Sequence, residues 1–499
     1  MAADVFICGD LPVRTIVIAG GGSAGWMCAA AFAHLLGAGW HVRLVESEAI
    51  GTVGVGEATI PQIRTFNQAL GLDERAFLDA TEGTYKLGIE FVGWGAPEER
   101  YLHAFGDVGR DSGLVPFHQR WLRARAGGAV APLGDHSLNE VAARAGRMQL
   151  GRARTAALLA EMPYAFHFDA ALYAALLRRF AEARGVERIE GRILDVERAG
   201  ETLTALRLDG DRHVEGDLFV DCTGFAALLI GGAMAVSYDD WSRYLPCDRA
   251  LALPCARVAP PIPYTRATAH DAGWQWRIPL RHRTGNGLVY SSAHLDEDAA
   301  EHLLRAGLDG GTDAAPRAIR FTTGRRREAW RGNVVAIGLA AGFMEPLEST
   351  SLHLVQSAIA RLVALLPGAA AGPATRDAFN RQSATEWERI RDFLVLHYHA
   401  NRREGAFWRD CRELPLPGTL ADKLALWREQ GVVLREQDEL FTEVAWVQVL
   451  VGQGVLPAAH HPLADAEPLE EAREFLALWA QLVRREVAQM PPHAALVGG

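Results

Sequence analysis

Arg14-Thr-Ile-Val-Ile-Ala-Gly20-Gly-Gly22-Ser-Ala-Gly25 decides the fold. The run from Arg14 to Ala19 is apolar and rich in β-branched residues, the pattern of a buried parallel strand. Gly20, Gly22 and Gly25 then spell G-x-G-x-x-G. Gly20 permits a tight turn, Gly22 lets the backbone approach a pyrophosphate, and Gly25 lets a helix pack closely on the strand. Ala24 to Leu36 reads as a small-residue helix and His41 to Glu46 as a second strand, so the chain opens with a βαβ unit. The helix N-terminus offers free N–H groups and partial positive charge. Glu46 ends the second strand, where a carboxylate accepts from ribose hydroxyls. This context predicts a dinucleotide site. The glycines alone leave FAD and NAD both open.

Working outward, Thr15 to Trp40 holds no Asp, Glu, Lys or Arg and is long enough to cross a bilayer. The three consecutive glycines after a short strand favour a strand, turn and helix instead. Asp4 and Asp10, with no Lys or Arg in the first ten residues, do not make a secretory n-region, so a cytoplasmic protein is expected. The 499 residues allow about three domains. With Lys+Arg 51 against Asp+Glu 61, the net charge is −10, which argues against a nucleic-acid surface. Six cysteines without a C-x-x-C argue against a zinc ribbon or a disulfide scaffold.

Later strands are expected at Asp217–Cys222, Gly273–Pro279, Gly287–Ser291 and Asn333–Ile337, with Thr284-Gly-Asn-Gly287 as a hairpin turn. Leu352 to Leu365 reads as a helix whose N-terminus is Ser349-Thr-Ser351. From about Thr375 the apolar residues Phe379, Trp387, Ile390, Phe393, Leu394 and Tyr398 fall near helical spacing, with Pro373 at the entry. Pro367 to Pro373 reads as a linker.

Four further segments carry a resemblance: Val53-Gly-Val-Gly-Glu-Ala-Thr-Ile-Pro61, Tyr85-Lys-Leu-Gly-Ile-Glu-Phe91, Trp274-Gln-Trp-Arg-Ile-Pro279 and Gly342-Phe-Met-Glu-Pro-Leu-Glu-Ser-Thr-Ser351. With the glycine motif, they resemble the flavin-dependent tryptophan halogenase family from about Arg14 to the His-Tyr-His segment at Tyr398. The resemblance implies an α/β protein. Its Rossmann-like FAD-binding module, of flavin monooxygenase type, would span 1–365, discontinuous and with insertions near 100–160 and 236–264. A mainly helical substrate module would follow at 366–499. It also implies reduced FAD supplied by a separate flavin reductase, since no second G-x-G-x-x-G for NADPH is seen. Oxygen would form a flavin hydroperoxide, chloride or bromide would attack it, and the resulting hypohalous acid would travel to a lysine beside a small aromatic substrate. No nucleic acid or membrane partner is expected. Oligomeric state is left open, a homodimer included.

By this resemblance Lys86 and Glu348 are the catalytic pair. Alternation from Thr84 to Phe91 would put Lys86 on the face opposite the core, and on pattern alone it is an exposed lysine. Glu345 is the lesser carboxylate candidate. Thr350 and Ser351 match the halide site, Ser351 standing where well-studied members carry Gly; side-chain capping by Ser or Thr is the alternative role. Flavin contacts are expected from Gly20, Gly22, Ala24, Gly25, Glu46, Ser47, Ile50, Glu57, Ala58, Ile193, Leu339 and Leu352. Asp221-Cys-Thr-Gly224 resembles a flavin-fold strand end. Trp274 and Trp276, two apart on a strand, would share one face as a wall.

His103 and Phe105 resemble the pair that stacks on indole, and Trp446 is either an aromatic wall or core. The tyrosine pair that grips an amino acid in tryptophan halogenases has no counterpart in Leu440-Phe-Thr-Glu-Val-Ala-Trp446. An indole-type arene is therefore expected ahead of free tryptophan. His397 and His399 are i, i+2 on a helix and face different ways, so a metal site is not expected. Two rival readings stand: an FAD-dependent aromatic hydroxylase, and a flavin-binding protein without catalysis.

Overall fold

The opening βαβ unit forms as the sequence predicts, in a computed structural model that describes residues 14–49, 56–151, 159, 161–366, 371–436 and 438–498. Strand Arg14–Ala19 leads through the glycine turn into helix Ser23–Leu35 and back to strand Trp40–Glu46. The two strands pair in parallel, Arg14 opposite Trp40 through Ala19 opposite Val45. Leu218–Asp221 flanks the first strand in parallel, followed by Val334–Ala336, while Glu187–Glu190 lies outside Trp40–Glu46. Trp330–Arg331 closes this six-stranded sheet antiparallel at the other edge. Gly25 through Phe32 are all buried, because the helix packs between the sheet and the Ala170–Glu182 helix. Its small residues let those backbones approach.

A second, larger sheet holds the hairpin Gly273–Pro279 and Arg283–Tyr290, then Thr265–His270, Gly88–Val92 and Arg100–Ala104. The hairpin is where it was expected, but its turn is not Thr284-Gly-Asn-Gly287. Pro279 pairs with Thr284, so the chain reverses at Leu280–His282 and both glycines lie within the strand. Packing explains Gly287. A Cβ there would stand 2.0 Å from the Trp276 ring and 2.5 Å from the carbonyl oxygen of Leu251, whereas one on Gly285 would meet only ordinary contacts. Gly287 thus makes room for a large ring and for another backbone, rather than a turn.

The expected strand from Thr84 to Phe91 is also two strands. Thr84–Lys86 joins a small sheet with Ala165–Asp169 and Gly56–Ala58, whereas Gly88–Val92 joins the large sheet. The change of sheet at Leu87 cancels the simple alternation. The helix expected after Pro373 spans Pro373–His399, with the proline in its first turn, and buries Trp387, Ile390, Phe393, Leu394 and Tyr398. Helices also dominate the described residues that follow. No helix among the described residues is long and apolar enough to cross a membrane. Cys28, Cys222, Cys247, Cys255 and Cys411 are buried and unbridged; Cys8 lies outside the described residues.

Candidate active site

The glycine turn, the strand ends of the first sheet and the hairpin of the second enclose one large cavity of about 760 Å³. Of the residues named for flavin contact, Gly20, Gly22, Ala24, Glu46, Ser47, Glu57, Ala58, Ile193, Leu339 and Leu352 line it. Ile50 lies outside the described residues. Gly25 does not line the cavity. Its role is packing: a Cβ there would lie 1.9 Å from the carbonyl oxygen of Gly20. Gly22 is the opposite case, since a Cβ there would meet nothing within 4 Å and would only fill space. Gly22 also caps helix Ser23–Leu35 without a side-chain hydrogen bond, so the first N–H groups of that helix remain available to an anion.

Glu46 is held at the far side of this turn. Its carboxylate accepts from Arg188 Nε at 2.5 Å and from Trp26 Nε1 at 3.3 Å. Desolvation, then the charge of Asp169, pushes the Glu57 carboxyl up to about 7. A carboxyl that can be neutral at the cavity wall tolerates an anionic ligand nearby. At the other end Trp274, Trp276, Ile278, Thr265 and Ala267 make a largely apolar wall. A phosphate cradle at one end and an aromatic wall at the other fit FAD: the glycine turn would hold the pyrophosphate, Glu46 the ribose, and the tryptophan wall the ring.

The turn from Gly342 to Ser351 walls this ring end. Met344, Pro346, Leu347, Ser349 and Ser351 line the cavity; Glu345, Glu348 and Thr350 are buried and do not. Helix Ser351–Ala364 starts here, with Thr350 at the cap position. The alternative role, capping by a side chain, is not formed, which leaves the N–H groups of Thr350 and Ser351 to other acceptors. Ser349 has φ 59°, a left-handed conformation that is uncommon outside glycine. Such strain persists only where the surroundings enforce it.

Lys86 is one of those surroundings. The expectation of a lysine away from the core is wrong: Lys86 is 0 % exposed, as is Thr84 beside it. Its Nζ donates to Ser349 Oγ at 2.8 Å and stands 5.4 Å over the Phe105 ring. Burial lowers the Lys86 ammonium to about 7, although the Glu348 charge pulls the other way. At neutral pH this amine is therefore shared between its charged and neutral forms.

Glu348 is buried on the same turn. Its carboxylate meets His103 Nδ1 at 2.9 Å and His397 Nε2 at 2.8 Å. Burial would raise this carboxyl; the two facing imidazoles outweigh burial and hold it down to about 2. His397 Nδ1 donates to the Phe393 carbonyl at 2.8 Å. Glu345, three residues away, is of another kind. It sits buried beside Trp274 and Tyr398, and burial raises its carboxyl to about 7.

His103 thus meets Glu348 through its ring nitrogen, and Phe105 lies under Lys86. Trp446 is buried on helix Glu443–Gly452, edge-on to Phe393, with Lys423 over its ring, and it does not line the cavity. Phe441 stacks on Phe393 at 3.8 Å. Sequence reading missed Ser349 and His397. Ser349 is set apart by its backbone conformation, which no residue pattern revealed. The sequence offers His397 only as half of an i, i+2 histidine pair; among the described residues no cluster able to hold a metal occurs. The signal that could have found it is its helical spacing from Phe393, which faces the same way.

A glycine-turn nucleotide cavity whose ring end is closed by a turn bearing a buried Lys–Ser contact and a His–Glu–His cluster defines a flavoenzyme. The tryptophan halogenase family matches residues 15–469. The chain is similar to the tryptophan 6-halogenase of Streptomyces toxytricini, 35% identical over 93% of this chain and 94% of the relative. Among solved structures it is similar to a flavin-dependent halogenase from Xanthomonas campestris, with TM-score 0.94, 47% identity and 98% of each chain covered. It is also similar to a flavin-dependent halogenase from Brevundimonas sp. BAL3, with TM-score 0.94, 45% identity, and 98% of this chain and 99% of that one covered. The chain belongs to the tryptophan halogenase family and is an enzyme of the flavin-dependent halogenase class.

Proposed function

We propose that the protein halogenates an electron-rich, indole-type arene with chloride or bromide, through hypohalous acid delivered to Lys86. The observation that carries this reading is the two-sided turn: Ser349 lines the flavin cavity and accepts from Lys86, while its neighbour Glu348 is buried against His103 and His397. Reduced FAD, supplied by a separate reductase, would provide at the ring end the oxygen activation that turns halide into hypohalous acid. The backbone donors at Thr350 and Ser351, with the side chains of the same two residues, are suited to hold the halide.

Lys86 then has two tasks that its depressed pKa reconciles. As an ammonium it donates a hydrogen bond to the hypohalous acid. As an amine it can take the halogen, its N–H proton and the hydroxide leaving as water. In either form Nζ holds an electrophilic halogen in a dry compartment, where side reactions with water are suppressed. The arene attacks the halogen, becomes cationic and loses a proton, which ends on the Lys86 nitrogen that gave up the halogen or, from hypohalous acid, on the departing hydroxide as water. A carboxyl held near 2 is a weak base, so Glu348 serves chiefly as a fixed negative charge facing that cation.

The substrate class follows from what surrounds these groups. Phe105 is below Lys86, and Phe393, Phe441 and Trp446 form an aromatic cluster beside His103. Phe441 stands in the segment where a tyrosine clamp for an amino acid was sought, and its ring is spent on Phe393. A flat arene without a zwitterion suits such a lining. Mass spectrometry of indole turnover with FAD, a flavin reductase, NADH, oxygen and bromide tests the proposal. Brominated indole is the expected product. Hydroxylated indole would overturn it in favour of a monooxygenase, and a protein inert toward every arene tried would be a flavin-binding protein without this chemistry.

A further inference from the structure

Thr265 opens the strand Thr265–His270 and lines the cavity at its ring end, two residues before Ala267, which pairs with Trp276. Its hydroxyl is not free to point where a ligand asks. Thr265 Oγ1 lies 2.9 Å from Nε2 of His167, a histidine that is 0 % exposed in the small sheet. His167 Nδ1 lies 3.1 Å from Thr84 Oγ1, and Thr84 Oγ1 lies 2.8 Å from the carbonyl oxygen of Pro279.

The order of donors along this chain is fixed from its inner end. A carbonyl only accepts, so the single hydroxyl proton of Thr84 goes to Pro279. Thr84 must then accept from His167, which places the ring proton on Nδ1. A second ring proton is opposed by burial and by the charges of Lys86 and His493, which hold the imidazole well below its ordinary range. Nε2 therefore carries a lone pair, and the hydroxyl proton of Thr265 is committed to it. Where its oxygen meets the cavity, Thr265 has lone pairs alone to offer.

We propose that Thr265, held by His167 and Thr84, is a fixed hydrogen-bond acceptor that makes this site prefer reduced over oxidised flavin. Two-electron reduction places a hydrogen on a ring nitrogen that carries only a lone pair in the oxidised ring. A wall atom with no proton to offer gains a hydrogen bond from the first form and faces a repelling lone pair in the second. A freely rotating hydroxyl would serve both forms, so the buried histidine is what makes the wall selective. The benefit to the enzyme is that it takes the reduced cofactor from its reductase and lets the spent one go. This inference rests on the assignment of the cavity to flavin. Thr265 is the group that would touch the flavin, and His167 and Thr84 are the positioning residues.

The test is equilibrium binding of FAD in air and of dithionite-reduced FAD under anaerobic conditions to the full-length protein and two variants. The native protein should bind reduced FAD more tightly. Thr265→Val keeps the shape and removes the hydroxyl. It should weaken reduced FAD by roughly two- to tenfold, the range of one neutral hydrogen bond, and leave oxidised FAD unchanged or tighter. A tenfold change in that ratio equals about 30 mV in the two-electron potential of the bound flavin. Thr265→Ser should restore the native ratio. If Thr265→Val weakens both forms equally, or neither, the proposal is overturned, since the acceptor would then meet a group present in both redox states or none. A native protein that binds neither form would instead remove the flavin reading itself.

Discussion

The flavin cavity and the Lys86–Glu348 compartment share one turn and are made of opposite materials. The cavity is walled mostly by backbone, glycine, alanine and apolar rings, with Glu46, Glu48, Glu57 and Arg178 the charged residues of its lining, and a bound group would find N–H donors and space. The compartment is closed and holds ionisable side chains: Lys86 at 0 %, Glu348 at 1 % and His397 at 0 % exposure. Recognition of a large cofactor asks for shape and unspent backbone groups. Handling a reactive halogen asks for charges kept out of water, where each is stronger and costs more. Only the second demand is expensive to the fold, and the contrast can be tested from both sides.

The largest effect should come from Lys86→Met. Halogenation should vanish while FAD affinity stays native, because Lys86 does not line the cavity. The same change should stabilise the fold. Lys86 is lowered to about 7 by burial, from an ordinary 10.5, so between those values the unfolded chain binds more protons than the folded one. Its destabilising effect is complete below pH 7 and fades as pH rises toward 10.5. Chemical unfolding at pH 6 should show a gain of roughly 2–4 kcal/mol that shrinks at pH 10. A variant that still halogenates, or is less stable at pH 6, would dissolve the contrast.

Glu348→Gln keeps size and removes the charge. Single-turnover halogenation should slow by roughly 10²–10³-fold, as when a preorganised electrostatic group is lost. An unchanged rate would move the task to His103, His397 or Glu345. On the cavity side, Gly25→Ala inserts a Cβ 1.9 Å from Gly20 O. A destabilisation of about 1–3 kcal/mol and loss of FAD binding should follow, read by denaturation and flavin fluorescence. Tight FAD binding by that variant would show the turn to be more yielding than its geometry allows.

The smallest effect expected is one of preference. Hydrogen bonds to a charged group are worth about 1.5–3 kcal/mol each, and the segment from Leu440 to Trp446 offers no tyrosine pair to make them. Indole should outcompete tryptophan in a mixed assay, with halogen at the electron-rich ring carbon. A clear preference for tryptophan at one benzene-ring position would reveal a clamp elsewhere.

The sequence by itself determined the nucleotide half. Gly20 to Gly25, Glu46 and the strand–helix–strand around them are local, and their spacing maps onto a turn and a helix N-terminus without help from the rest of the chain. The halogenase motifs likewise named Lys86 and Glu348 before any geometry was known. Tertiary structure alone decided what those residues meet. Lys86 reaches Ser349 across 263 residues, and His103 reaches Glu348 across 245. Period-two alternation failed at Lys86 because the chain changes sheets at Leu87, and turn chemistry failed at Gly285 and Gly287 because both lie within a strand, where a tryptophan ring and the Leu251 backbone need the space at Gly287. Pattern rules describe one element with one partner. Burial, protonation and the direction of each hydrogen bond depend on every element packed around a side chain, and those were assembled only by the fold.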